Sequence, residues 1–190
     1  ERWMDPAWQV ASSLAELRAR AYIAETLPVY VPNVGPDLTA TLLGAELEFG
    51  EHTSWALHPV KDVDEWEDYL ARPADFSNPY WRAIEEMTRL AIEQGSGDIL
   101  VGLPDLHGAY DMLVSLRGPG ELCYDLIDDP EIVAKVAIHF ADIFNESLHR
   151  AWKPLQAAGM PATTWAHFLH DGIAYVNSCD FWCLISPDMA

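Results

Sequence analysis

Apolar positions recur along the chain at two spacings, which predict two kinds of element. Three times an acid or amide stands before proline at the head of a three- and four-residue apolar repeat: Asp5-Pro6, Asn78-Pro79 and Asp129-Pro130. Each pair reads as a helix N-cap and first helical residue. The short polar side chain accepts from free backbone amides, and proline lacks only an N–H that would be unpaired there. Behind Asp5 the stripe is Val10, Leu14, Leu17 and Ala21, with Glu16, Arg18 and Arg20 on other faces. Behind Asn78 it is Ile84, Met87 and Ala91, stopped by Gly95 and Gly97. Behind Asp129 it is Ile132, Val136, Phe140 and Ile143, running to about Trp152, with Pro154 set to kink or end the helix.

Residues 27–31, 99–103 and 173–176 differ in character. They are short, mostly apolar and bounded by breakers, as strands buried on both faces tend to be. Such strands separated by long helical stretches predict β-α units and a parallel sheet. Residues 46–61, with Glu51, His52, Thr53, Ser54 and Trp55, predict a polar-aromatic loop too rich in reactive groups to be a spacer.

Charge narrows the function. Eleven Lys and Arg against 30 Asp and Glu give a net charge of −19, which repels nucleic acid and anionic membrane alike. Half the residues are apolar and eight are Trp, so the chain is a folded one and not an acidic disordered tail. It has no uninterrupted apolar stretch near the ~18 residues of a membrane span and no leader-like segment, which points to the cytoplasm. Cys123, Cys179 and Cys183 are an odd number without a C-x-x-C spacing, as suits a reducing compartment.

In a parallel α/β fold the ligand lies beyond the carboxyl ends of the strands. After the first strand comes Asn33-Val34-Gly35-Pro36-Asp37, a tight turn opening a helix. After the second comes the densest segment, with Asp105, His107, Tyr110 and Asp111, then Arg117 before Gly118. Asp105 and His107 stand two apart, where an acid can fix the imidazole's tautomer for acid–base work; the alternative is a helix cap beside a packed turn histidine. Tyr110 is either a hydrogen-bond donor to a ligand or a core aromatic. Arg117 is either a clamp for a carboxylate or a cation closing a helix. After the third strand come Asn177, Ser178, Cys179 and Asp180. His167, His170 and Asp171, with Cys179 and Cys183, lack a recognised zinc spacing and read as structural. The phosphate-loop and dinucleotide fingerprints are both absent.

Four segments taken in order resemble the uroporphyrinogen decarboxylase family, which also contains cobalamin-dependent methyltransferases. They are Asn33-Val34-Gly35-Pro36 followed by Leu42-Leu43-Gly44-Ala45; residues 102–110, with a tyrosine six positions after a Gly-x-Pro turn; Asp125-Leu126-Ile127-Asp128-Asp129-Pro130-Glu131; and residues 178–187, ending Ile185-Ser186-Pro187. The resemblance spans about residues 27–190 and leaves 1–26 as an N-terminal helical extension. It implies a (β/α)₈ TIM barrel, of which 190 residues would be only the N-terminal portion, since such a barrel takes ~250.

For activity the resemblance implies a lyase, the decarboxylase of porphyrin biosynthesis, or a corrinoid-linked methyltransferase, with zinc and a corrinoid as cofactors in the latter branch. Asp105, His107, Tyr110 and Asp180 would surround the reacting group, and Asn33, Trp55, Asp111 and Arg117 would bind substrate. The zinc ligands of the methyltransferases would fall beyond residue 190. The implied partners are a small-molecule substrate, a tetrapyrrole or something smaller and polar, with a second copy of the chain or a corrinoid protein. Holding eight carboxylates takes several Arg or Lys. Most basic residues here sit on helices and leave Arg117, so a smaller neutral or cationic ligand fits better than the namesake polycarboxylate. The different-class alternative is a non-catalytic ligand-binding or corrinoid-interacting barrel.

Overall fold

The computed structural model describes residues 2–95 and 97–187. In chain order the elements are helix α1 (Pro6–Ala19), strand β1 (Val29–Tyr30), the one-turn helix α2 (Leu38–Thr41), strands β2 (Glu46–Phe49) and β3 (Ser54–Leu57), helix α3 (Pro79–Gly95), strand β4 (Leu100–Val101) and helices α4 (Ala109–Arg117), α5 (Pro119–Asp128) and α6 (Pro130–Ala157). Short 3-10 turns occupy Arg2–Met4, Val63–Tyr69 and Asp180–Leu184. Two compact units result. The first gathers the chain up to Val34, Pro79–Asp105 and Leu148–Val176; the second gathers Gly35–Asn78, Leu106–Ser147 and the chain from Asn177 onward.

In the first unit α1 packs along α3. Asp5 caps α1 by accepting the Trp8 amide at 3.1 Å, and Val10 and Leu14 are its buried positions. α3 buries Trp81, Ile84, Met87 and Ala91, the three- and four-step stripe of an amphipathic helix. The Arg18 fork donates to both oxygens of Asp98, at 3.0 and 3.2 Å, and to the Gln94 carbonyl at 2.8 Å, which ties the end of α1 to the turn after α3. β1 and β4 pair in parallel, Val29 with Leu100 and Tyr30 with Val101. Beyond β4 the Leu103 amide donates to the Thr163 carbonyl at 2.8 Å.

In the second unit β2 and β3 form an antiparallel hairpin, Glu46 opposite Leu57 and Phe49 opposite Ser54. Its core is an edge-on aromatic cluster in which Trp66 lies 5.7 Å from Tyr69 and 6.3 Å from Phe140. The Trp66 Nε1–H donates to Asp125 at 2.9 Å, so its one polar atom is satisfied within the core. Gly35, at φ +104°, leads into this unit; a Cβ there would stand 1.7 Å from Ser54 Oγ, and only glycine fits.

These elements overturn the (β/α)₈ barrel expectation. Among the described residues there are four strands of two to four residues in two separate two-stranded sheets, and only β1 with β4 is parallel. A barrel strand is covered on both faces, whereas Ile173 and Val176 are exposed and residues 173–176 stay irregular. The stretch between β1 and β4 holds an antiparallel hairpin where the barrel would need β-α units. Residues 46–61, expected as a loop, carry that hairpin. Glu46-Leu47-Glu48 and Ser54-Trp55-Ala56-Leu57 alternate exposed and buried with the period of two that a strand requires. Pro154 sits one turn before the end of α6, which continues to Ala157.

Candidate functional site

The chemically distinctive group of the second unit is a cluster of Asp37, His107, Ser115 and Thr39. Asp37 heads α2. Its Oδ1 accepts the Ser115 hydroxyl at 2.5 Å, and its Oδ2 accepts the Ala56 amide at 2.9 Å. Thr39, two residues on, donates its hydroxyl to the His107 carbonyl at 3.1 Å. The backbone at 107 and the carboxylate at 37 are thus each held by neighbours.

The imidazole between them is not. His107 Nδ1 lies 3.9 Å from Asp37 Oδ1 and is buried without a hydrogen bond. An orphaned buried nitrogen costs about 1–3 kcal/mol. A shift of roughly 1 Å would bring the pair into the ~2.7–3.2 Å range of a hydrogen bond and recover that cost. The side chain keeps 17 % exposure, and since Nδ1 is covered, the accessible part of the ring lies elsewhere. A carboxylate can only accept, so the compatible neutral tautomer carries Nδ1–H toward Asp37 and has its lone pair on Nε2.

Immediately after His107 the chain enters the wall of a cavity of about 320 Å³, also within the second unit. Gly108, Ala109 and Tyr110 at the start of α4 form one side, Ala141, Phe144 and Asn145 of α6 another, and Asn177, Ser178, Cys179 and Trp182 a third. The Asn177 amide lies against Gly108, where a Cβ would come within 2.7 Å of its Nδ2, so glycine lets this amide sit over the α4 N-terminus. The third side is pinned by Asp111, 6 % exposed, whose two oxygens accept the Phe181 amide at 3.2 Å and the Asp180 amide at 3.3 Å. Burial, with the Asp111 carboxylate adding to it, pushes the Cys179 thiol up to about 11. Cys179 is therefore a neutral lining group at neutral pH.

The expected site residues distribute as follows. His107, Tyr110, Trp55, Asp111, Arg117 and Asp180 belong to the second unit; Asn33, exposed, and Asp105, half-buried, belong to the first. Tyr110 lines the cavity. Asp111 holds the cavity wall from behind. Arg117 is 9 % exposed, and its fork donates to Asp125 at 2.8 and 2.9 Å and to the Lys61 carbonyl at 2.6 Å, so its charge is matched inside the protein. Trp55 is exposed on β3 with its ring against Gly50, and Asp180 is exposed at the head of its 3-10 turn. Asp37, which the sequence did not pair with His107, lies 3.9 Å from its Nδ1. Sequence reasoning also missed Ser115, Asn145 and Phe144; the signal for Asp37 was its position closing the Gly-Pro turn after the first strand.

Among the described residues no three His, Cys, Asp or Glu side chains converge as a metal site requires. No described helix is long and apolar enough to cross a membrane. No protein-family model, curated protein or solved structure matches the chain.

Proposed function

We propose that the chain is an enzyme of the uroporphyrinogen decarboxylase family in which His107 moves a proton and the adjoining cavity holds a small substrate. The observation that carries this reading is the buried, unpartnered Nδ1 of His107 facing Asp37. Both branches of the family need such a group. Loss of CO₂ leaves a carbanion that must be protonated, and transfer of a methyl group to a thiol requires the thiol proton to leave. Tyr110 supplies a hydrogen bond to the substrate from the cavity wall, and Asp180, next to the lining residue Cys179 in sequence, is a second acid. Arg117 and Asp111 have internal roles in this reading. The family resemblance rests on four motifs and not on architecture.

Zinc and a corrinoid supply thiol activation and methyl carriage to the methyltransferase branch when bound. No step here runs through either group: no three metal-ligating side chains converge among the described residues, and the cavity of about 320 Å³ is smaller than a corrin macrocycle. A tetrapyrrole would likewise extend beyond it. A smaller substrate fits within it, and a corrinoid would be presented by a partner protein. Three free thiols suit the cytoplasm.

Turnover assays with uroporphyrinogen, with small polar carboxylates and with methyl donors plus a corrinoid acceptor test the reading. A rate lost by ~10²–10⁴ in His107→Ala, the usual worth of a general acid–base group, supports it. Wild-type turnover in His107→Ala and in Asp180→Asn contradicts it. One observation favours the non-catalytic alternative: His107 is not itself in the cavity wall. Under that alternative ligand binding persists with no turnover on any of these substrates.

A further inference from the structure

We infer that the cavity between the start of α4, α6 and the 3-10 turn at Asp180–Leu184 takes an uncharged ring compound bearing an amide or hydroxyl group. This rests on the reading of that cavity as the substrate site and names its substrate class. Its volume of about 320 Å³ falls at the small end of the ~300–1,000 Å³ of ligand pockets and suits a compound of one ring. Tyr110, Phe144 and Trp182 offer faces and edges for stacking against such a ring. Asn145, Asn177 and Ser178 supply donors and acceptors in neutral form.

Charge is what the wall lacks. None of its lining side chains is Lys, Arg, His, Asp or Glu, and the Cys179 thiol stays protonated at neutral pH. A ligand carboxylate would meet no cation in the wall, in a chain of net charge −19. A ligand ammonium would find no lining carboxylate, because Asp111 is buried behind the wall with both oxygens occupied by the Asp180 and Phe181 amides. An amide or hydroxyl group loses little on entering, since the asparagine amides replace its water. The inference favours group transfer over decarboxylation, because a decarboxylase substrate is itself a carboxylate.

The test is a set of three probes of one shape and three charges: benzamide, benzoate and benzylamine, titrated into the intact protein by ligand-observed NMR. Benzamide should bind at least ~10-fold more tightly than either ion. Phe144→Ala should weaken benzamide. Asn145→Asp, at an exposed helix position that does not challenge folding, should turn the preference toward benzylamine. Equal or tighter binding of benzoate or benzylamine, no saturable benzamide binding, or indifference of benzamide to Phe144→Ala would each overturn the inference. His107→Ala separates this from the proton-transfer reading, since it should bind benzamide as the wild type does. If benzoate ranks first while turnover still depends on His107, only the substrate class falls. If benzamide ranks first while His107→Ala keeps full turnover, only the role of His107 falls.

Discussion

His107 Nδ1 and Asp37 Oδ1 stand 3.9 Å apart, with the carboxylate fixed by Ser115 and Ala56 and the imidazole nitrogen buried without a bond. Most buried polar groups are paired, so each exception calls for an explanation. Asp37 reaches this position because the Gly35-Pro36 turn delivers it to the head of α2, across from α4. Replacing Gly35 therefore disturbs the site through the fold. Gly35→Ala should cost at least ~1–2 kcal/mol from the left-handed backbone alone, more once the new Cβ meets Ser54 Oγ. Urea unfolding against wild type checks this, and an unchanged midpoint would contradict the turn geometry.

Arg117 and Asp125 form the other decisive pair of the second unit. Their side chains are 8 % and 3 % exposed and share two hydrogen bonds, and Asp125 also accepts from Trp66. Removing one partner leaves a buried charge unmatched, which costs ~3–5 kcal/mol. Arg117→Met should lower the unfolding free energy from urea titration by that amount, while Arg117→Met with Asp125→Leu should recover much of it. Were Arg117 instead free to clamp a ligand carboxylate, Arg117→Met would weaken anion binding with little loss of stability.

Acid should weaken the first unit in a defined window. The hydrogen bond from Arg18 holds the Asp98 carboxyl below its ordinary value, and Arg89 does the same to Glu86. A depressed folded-state pKa gives stability that is full above the unfolded value and lost as pH falls through the folded one. The Tm difference between wild type and Arg18→Gln should thus be constant near neutrality and shrink progressively as pH falls below the ~3.9 of an unperturbed aspartate. The pair is exposed, so the difference is small. A gap that widens on acidification would reverse the sign.

Cys179 and Cys183 should separate chemically. Cys183 is exposed, whereas Cys179 is half-buried with its thiol pushed up to about 11. Since the thiolate is the nucleophile, iodoacetamide at about pH 8 should label Cys183 well before Cys179. Mass-spectrometric mapping of the labelled peptides reads the order; Cys179 reacting as fast as Cys183 would mean a charged group in the cavity wall.

Helices were readable in the sequence because their signals are local. Asp5, Asn78 and Asp129 each stand before a proline, and α1, α3 and α6 begin at those prolines. Strands depended on partners far along the chain. Residues 27–31 and 99–103 hold strands of two residues each, paired in parallel, while 173–176 with the same apolar look holds none, because its side chains find nothing to cover them. The hairpin of β2 and β3 could have been read from the alternation of Glu46, Leu47 and Glu48, had the polar groups between its strands not suggested a loop. The site divided in the same way. His107 and Tyr110 were visible because they cluster in sequence, whereas Asp37 and His107 meet only through tertiary packing 70 residues apart.

The tautomer of His107 tests the central claim most directly. Two-bond ¹H–¹⁵N correlation spectra of histidine-labelled protein distinguish Nδ1–H from Nε2–H. With Asp37 as its positioning carboxylate, neutral His107 should carry its proton on Nδ1 in the wild type and shift toward the Nε2–H form in Asp37→Ala, while His52 and His139 stay unchanged. An Nε2–H imidazole in the wild type, or one indifferent to Asp37→Ala, would contradict the assignment of Asp37 and His107 as a working pair.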